Sequence, residues 1–307
     1  MKKKLALMLA VSMTVGGVLT GCGSASNDAE PAAADAAEDA GAGEDAAAAE
    51  ADSAAADETD GAEEAGAADA SGDANLVYAV ETGSAGEAAA EENGFQTNVV
   101  ASQADALMEV ASGTSDAAII DLLMAGAMIG EGTSYPNLIH TTELTTEEYG
   151  VGCRKGSDLA SFINSVFGES YADGTMEETA AVYGVQEALI EQTASEFVES
   201  EEDSDVAYIK DKGTLIVGIT EFEPMDYKDG SGEWIGFDAD MARITAEKLG
   251  VEAQFVVIDW DNKIMELDSG NIDVVWNGMT LTSETTSAME CTNAYCNNAQ
   301  VIVVPAE

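Results

Sequence analysis

The sequence predicts an α/β body of two similar lobes, each built on a mostly parallel sheet flanked by helices. Three observations predict it. Short apolar runs of strand length, at 117–120 and 215–219, alternate with segments whose apolar residues recur at helical spacing. One unit occurs twice, 157 residues apart: Met108-Glu109-Val110-Ala111-Ser112-Gly113-Thr114-Ser115-Asp116 matches Met265-Glu266-Leu267-Asp268-Ser269-Gly270-Asn271-Ile272-Asp273. In both copies a helix stops at Gly, a tight loop follows, and Asp leads an apolar strand, a spacing that suits two lobes and not a solenoid. Finally, large apolar residues are absent between Cys22 and Asp73, which separates an acidic tail from the body that follows. Ligands of such folds gather at the carboxyl ends of the strands, here the cleft between lobes.

The chain has 307 residues, 59 acidic against 11 basic side chains, and a formal net charge of −48. Nucleic-acid binding needs clustered Lys and Arg, so this balance excludes it and argues against docking on anionic lipid through a basic patch. One His, no Cys/His cluster and no long apolar run beyond the N-terminus leave no zinc site or spanning helix to expect. No metal or other cofactor is expected. The first 22 residues read as an export signal: Lys2, Lys3 and Lys4 precede an apolar stretch from Leu5 to Leu19, too short to remain as a span. It ends in Leu19-Thr20-Gly21-Cys22, which resembles a bacterial lipobox with Cys22 as the lipidated residue; an ordinary signal peptide with an incidental Cys is the alternative. Residues 23–73, nearly all Ala, Asp, Glu, Gly and Ser, read as a disordered, self-repelling tether.

Within the body the elements follow in order. Gly83-Ser84-Ala85-Gly86 sits between a strand and a helix. Ala104, Leu107, Met108 and Ala111 mark a helix stopped by Gly113, and 117–120 a buried strand. Residues 149–153 read as a strand, followed by helices around 159–167 and 176–190. The acidic stretch 191–205 reads as a linker or a frayed helix end. After the strand at 215–219, Ile235-Gly236-Phe237-Asp238 enters a helix carrying Met241, Ile244 and Leu249 and stopped by Gly250. Residues 255–258 form another strand, and Asp259-Trp260-Asp261 opens the helix containing Ile264, Met265 and Leu267. Besides Cys22 there are three cysteines, so at least one thiol stays free outside the cytoplasm, while Cys291 and Cys296 could pair. His140 reads as structural.

These motifs resemble the polar-amino-acid family of ABC-transporter solute-binding proteins. The first lobe of that family is visible in LIVGITEFEPMDYKDGSGEWIGFDADMARITAEKLG and IDWDNKIMELDSGNIDVVWNGMTLT. Its second lobe is visible in VYAVETGSAGEAAAEE and ALMEVASGTSDAAIID, and its closing segment in EEYGVGCRKGSDLASFINSVFGESYADGTMEETAAVYG. The resemblance implies a two-lobed, periplasmic-binding-protein-like (type II) fold. The order differs from the family: the second-lobe segment leads and the GFD-containing segment ends the chain, as in a circular permutation. The old termini would be joined through 191–213, and new ones would open after Val304 and before Asn75. The implied division is a signal peptide at 1–22, a tether at 23–73, a second-lobe-like unit at 74–147 and a first-lobe-like unit at 148–307. One covalent crossing near 143–151 would join the two.

The resemblance also implies site residues. Phe222 and Trp260 fall where the family places aromatics around a ligand side chain, although either could be core. Asn277, Gly278 and Thr280 match positions that bind ligand ammonium and carboxylate through backbone and hydroxyl groups. The N–H groups around Ser84 and Ala85 suit a carboxylate, though glycine beside them is also plain turn chemistry. Asp121 matches the carboxylate that grips the ammonium, with helix capping as the alternative. Thr285 stands where the family has an Arg that forks onto the ligand carboxylate, while Glu81, Glu221 and Glu223 fall near the cleft with Asp121. That balance moves the expected solute towards a cation.

The function implied is that of a monomeric, lipid-anchored solute-binding protein on the extracytoplasmic face of the cell membrane, and not an enzyme. It would capture a small polar, amine-bearing solute, an amino acid of basic or neutral character, and hinge closure would present it to ABC permease subunits. Two other classes stay open: a lyase or hydrolase using Asp121 or Glu81 as general base, and a sensor or interaction lipoprotein on the same fold.

Overall fold

The computed structural model describes residues 72–306; the signal stretch, Cys22 and nearly all of the acidic tether lie outside the described residues. The chain first forms β1 (Val77–Glu81), α1 (Ala85–Glu92), β2 (Gln96–Val100), α2 (Gln103–Ser112), β3 (Ala117–Asp121), α3 (Leu122–Met128) and β4 (Leu138–Glu143). Then come β5 (Glu147–Cys153), α4 (Leu159–Ala172), α5 (Thr175–Tyr183), α6 (Asp205–Lys212) and β6 (Thr214–Ile219). The short β7 (Tyr227–Lys228) and β8 (Trp234–Ile235) precede α7 (Phe237–Leu249), β9 (Glu252–Val257), α8 (Lys263–Asp268) and β10 (Val274–Thr280). Last are α9 (Ser283–Ala288), β11 (Glu290–Cys291), β12 (Cys296–Asn298) and β13 (Gln300–Pro305).

Two larger sheets organise these elements on one plan. The first runs β2-β1-β3-β13-β4, with β1 parallel to β2 and β3, and β13 antiparallel to β3 and β4. The second runs β11-β5-β10-β6-β9, with β6 parallel to β9 and β10, and β5 antiparallel to β10, β11 and β12. In each, three parallel strands are followed by one antiparallel strand beside the third. The fully buried Trp276 of β10 and Phe167 of α4 meet edge to face, ring centroids 5.6 Å apart, and Phe167 and Phe237 also pack on Tyr295.

The repeated unit has one mechanical task in both sheets. Asp116 accepts the Val77 N–H at 2.9 Å and returns its own N–H to the Val77 carbonyl at 3.0 Å. Asp273 does the same with Ile216, at 2.7 and 2.8 Å. Each Asp thus ties the start of the third parallel strand to the start of the first. Gly113 and Gly270 turn the chain there at φ 76° and 75°, a region that side chains disfavour.

Sheet membership corrects the division of the body. β13 lies at the far end of the chain, yet Val301, Ile302 and Val303 pair with Ile120, Ile119 and Ala118 of β3. Residues 300–305 therefore complete the sheet of the 74–147 unit, and the chain passes between sheets twice, at 144–146 and through Ala299. The passages lie side by side: the Leu144 N–H donates to the Gln300 carbonyl at 2.7 Å, and the Gln300 N–H to Thr145 Oγ1 at 2.9 Å. An apolar run states that a strand forms; only the neighbouring passage decides which sheet receives it.

Smaller expectations also change. α5 ends before Gly184, well short of 190, because Gly184 takes a left-handed conformation that closes the helix. Residues 191–204 contain no helix or strand, and α6, capped by the Ser204 hydroxyl, follows them. β9 begins at Glu252 and stops before Ile258. Met108 and Met265 face outward at 55% and 58% exposure, while α2 buries Ala106, Leu107 and Val110. Cys153, Cys291 and Cys296 are all free thiols. Cys153 and Cys296 belong to one apolar cluster and Cys291 packs against another, so Cys291 and Cys296 do not pair. His140 is exposed on β4.

Candidate functional site

A cavity of about 270 Å³ lies where the carboxyl ends of β1, β3, β6 and β10 converge, rimmed by the first turns of α1, α8 and α9. Strand ends and helix N-termini leave polar backbone pointing at such a space. All ten expected residues line it: Glu81, Ser84, Ala85, Asp121, Phe222, Trp260, Asn277, Gly278, Thr280 and Thr285. Glu221 and Glu223, on either side of Phe222, do not line it; Glu221 is exposed.

Asp121 is the most heavily bonded of these. It ends β3 at the N-cap position of α3 but makes no capping bond, which removes the capping alternative. Its carboxylate accepts Tyr149 Oη at 2.5 Å, Gln300 Nε2 at 3.1 Å, and the amides of Gln103 and Asn298. Glu147 beside it accepts Thr280 Oγ1 at 3.0 Å, Asn298 at 3.2 Å and Gln300 at 3.0 Å. Glu147, Tyr149, Asn298 and Gln300 lie beside the two passages between the sheets, so Asp121 is bonded to both passages. Burial and the Glu147 charge push its carboxyl up to about 7, against the pull of its donors.

Several expected polar contacts are already used by the protein. Asn277 Oδ1 accepts the Thr220 N–H and hydroxyl, both at 2.7 Å, and its Nδ2 donates to Asp226 at 2.8 Å. The Gly278 N–H donates to Asp238 Oδ2 at 2.7 Å, an oxygen that also accepts Tyr295 Oη at 2.7 Å. Asp238, from the GFD motif, therefore braces the wall behind the cavity. Thr285 closes a capping box with Thr282 at the start of α9. Ser84 caps α1 through Glu87, whose carboxylate also takes the Gly83 N–H at 2.6 Å, so the turn offers fewer free donors than expected.

Two groups remain uncommitted. Glu81 is 3% exposed and its Oε1 has no partner. Burial, then the Asp121 charge, pushes its carboxyl up to about 8. Lys263, which sequence reasoning missed, lies three residues beyond Trp260 and lines the same cavity. Its Nζ donates to the Gly83 carbonyl at 2.9 Å and the Trp260 carbonyl at 3.2 Å, and sits 5.0 Å from the Trp260 ring centroid. Its nearness to Trp260 along the chain was the available signal. Burial lowers the pKa of its ammonium.

Glu81 gives stability a pH dependence of definite sign. Its folded pKa is raised, so the folded chain holds a proton that the unfolded chain releases near its ordinary value of 4.5. The associated stability is full below that value and is lost as pH rises to about 8. Glu81→Gln removes this contribution, on the order of a few kcal/mol. Thermal melting between these limits should fall more steeply for the parent than for the variant; parallel curves would contradict the assignment.

Two sheets of one plan, with a cavity at the strand ends of both, define an α/β protein of the type II periplasmic-binding-protein fold. Residues 215–307 match the family model of the bacterial extracellular solute-binding proteins, family 3. The L-cystine-binding protein TcyJ of Escherichia coli strain K12 is 38% identical over 77 residues, 25% of this chain and 29% of that protein. The arginine-binding extracellular protein ArtP of Bacillus subtilis strain 168 is 32% identical over 93 residues, 30% and 36% of the two chains. The cyclohexadienyl dehydratase of Pseudomonas aeruginosa strain PAO1 is 31% identical over 77 residues, 25% and 29%. The chain spans about a third of the length of these curated relatives.

Proposed function

We propose that the protein is an extracytoplasmic solute-binding protein of an ABC importer, capturing a small amine-bearing solute, an amino acid of basic or neutral character. One observation carries the reading: a single enclosed space between two sheets gathers Phe222, Trp260, Asp121 and a buried, unpartnered Glu81 oxygen. An unpaired buried polar group is costly, and an ammonium group satisfies it. The side-by-side passages at 144–146 and Ala299 supply a hinge about which two halves close on the solute. Lipidation at Cys22 would hold the protein at the membrane, with the tether reaching outward and permease subunits as partners. The order of the two family segments is read as a circular permutation; in its support, β13 and β1 lie in one sheet, so that an ordinary chain could pass from one to the other without leaving it.

Calorimetry on the full chain with basic, neutral and acidic L-amino acids, polyamines and quaternary amines tests this. A basic or neutral amino acid should bind, and Trp260→Ala should weaken it by roughly 30-fold or more. Response to glutamate or aspartate alone would overturn the charge reading. A second reading rests on Glu81: burial keeps it protonated at neutral pH, which suits a general acid in a lyase, and one relative is named a dehydratase. Conversion of a bound amino acid or cyclic acid to product would favour it.

A further inference from the structure

We propose that Lys263 receives the carboxylate of the bound solute and so sets the specificity of the cavity for zwitterions over simple amines. The inference rests on the solute-binding reading and names the chemistry of its ligand. Thr285 cannot serve, since its hydroxyl is held in the α9 capping box and donates to the Thr280 carbonyl at 3.0 Å. Among the residues lining the cavity, Lys263 carries the positive charge.

Its bonding leaves room for an anion. An ammonium group has three N–H donors. Two are used, on the carbonyls of Gly83 and Trp260, and these are neutral acceptors. Among the described residues no carboxylate forms an ion pair with Lys263, although the residue is only 8% exposed. Glu284, Asp261 and Glu81 are near enough to favour its charge, but none closes an ion pair with it, so its third N–H is left for an incoming anion. In the same cavity Glu81 keeps a buried oxygen without a partner, free to accept from an ammonium. A cationic donor and a free carboxyl oxygen that can accept a hydrogen bond, both lining one space, match the two ends of an amino acid.

The same geometry removes the aromatic site that a cationic side chain would use. The Lys263 ammonium already lies against Trp260, and the Asp121 carboxylate is filled by four protein donors. A second cation beside Lys263 would be repelled. Recognition therefore rests on the solute's own carboxylate and ammonium.

A cycle of two proteins and two ligand types separates this role from a structural one. The full chain and Lys263→Met are titrated with L-arginine, L-histidine and L-glutamine, and with the α-amide of each, at mildly acidic pH where both forms keep their ammonium. The parent should favour the acid over its amide by about 30-fold or more, and the variant by less than about threefold, because the charge pair is gone. Lys263→Arg should restore most of the preference. A preference kept by Lys263→Met would place the carboxylate elsewhere and overturn the proposal. An equal loss for acid and amide would also overturn it, by showing that Lys263 acts only through its bond to Gly83. If the parent binds none of the six compounds, the solute-binding reading fails and this one with it.

Discussion

Asp273→Ala is expected to cost about 3–5 kcal/mol of stability. The Asp273 side chain is 1% exposed and accepts Lys212 Nζ at 2.6 Å and the Ile216 N–H at 2.7 Å, with Arg154 Nη2 at 3.7 Å from its other oxygen. Its removal leaves the Lys212 ammonium and the Ile216 amide without this partner, while Arg154 keeps Asp205 at 2.8 Å, and the pairing of β6 with β10 loses its clamp. The equivalent residue in the first sheet supplies the contrast. Asp116 is exposed, forms no ion pair among the described residues and accepts the Val77 N–H alone at 2.9 Å. Asp116→Ala should cost only about 0.5–1.5 kcal/mol. Urea denaturation of the two variants measures the difference; equal losses would mean that the ion pairs of Asp273 contribute nothing.

Gly83→Val is expected to abolish solute binding, by 100-fold or more on the order of affinities that a closed cleft allows. Gly83 has φ +67°, and a Cβ there would stand 2.8 Å from Asp261 Cα, a backbone atom that cannot step aside. Gly83 belongs to the turn after β1 and Asp261 to the turn before α8, so this contact closes one half of the cleft on the other. A side chain would hold the halves apart and break the Lys263 bond to the Gly83 carbonyl. Gly94→Ala is the control for backbone strain, since Gly94 has φ +69° with nothing within 4 Å of its Cβ position. It should lose about 1 kcal/mol of stability and bind as the parent does. Titration of both variants with the amino acid the parent binds distinguishes closure from strain; loss in both, or in neither, would contradict the closing contact.

Much of this architecture was legible because it rests on local signals. The repeat around Asp116 and Asp273 fixed two sheets of one plan, since helix stop, turn and strand start are read within nine residues. The cavity lining was legible because it lies at strand ends and helix starts, where motifs concentrate. What escaped was assembled by tertiary passage. Val301-Ile302-Val303 looks the same in either sheet, and its pairing with β3 follows only from the second crossing. Gln103, Glu147, Asn298 and Gln300 are scattered over almost 200 positions; α2 brings the first to Asp121 and the two passages between the sheets bring the others. Asn277 and Gly278 reached the expected place, but their donors were taken by Thr220, Asp226 and Asp238, which no spacing announces.

The most direct test is native mass spectrometry of the full chain purified without refolding, followed by release of whatever it carries. The account predicts one retained small molecule per chain, with a primary amine and a carboxylate, and its absence from Gly83→Val. A folded chain that retains no small molecule and binds none of the amino acids offered, or one that carries a solute without an amine, would contradict it.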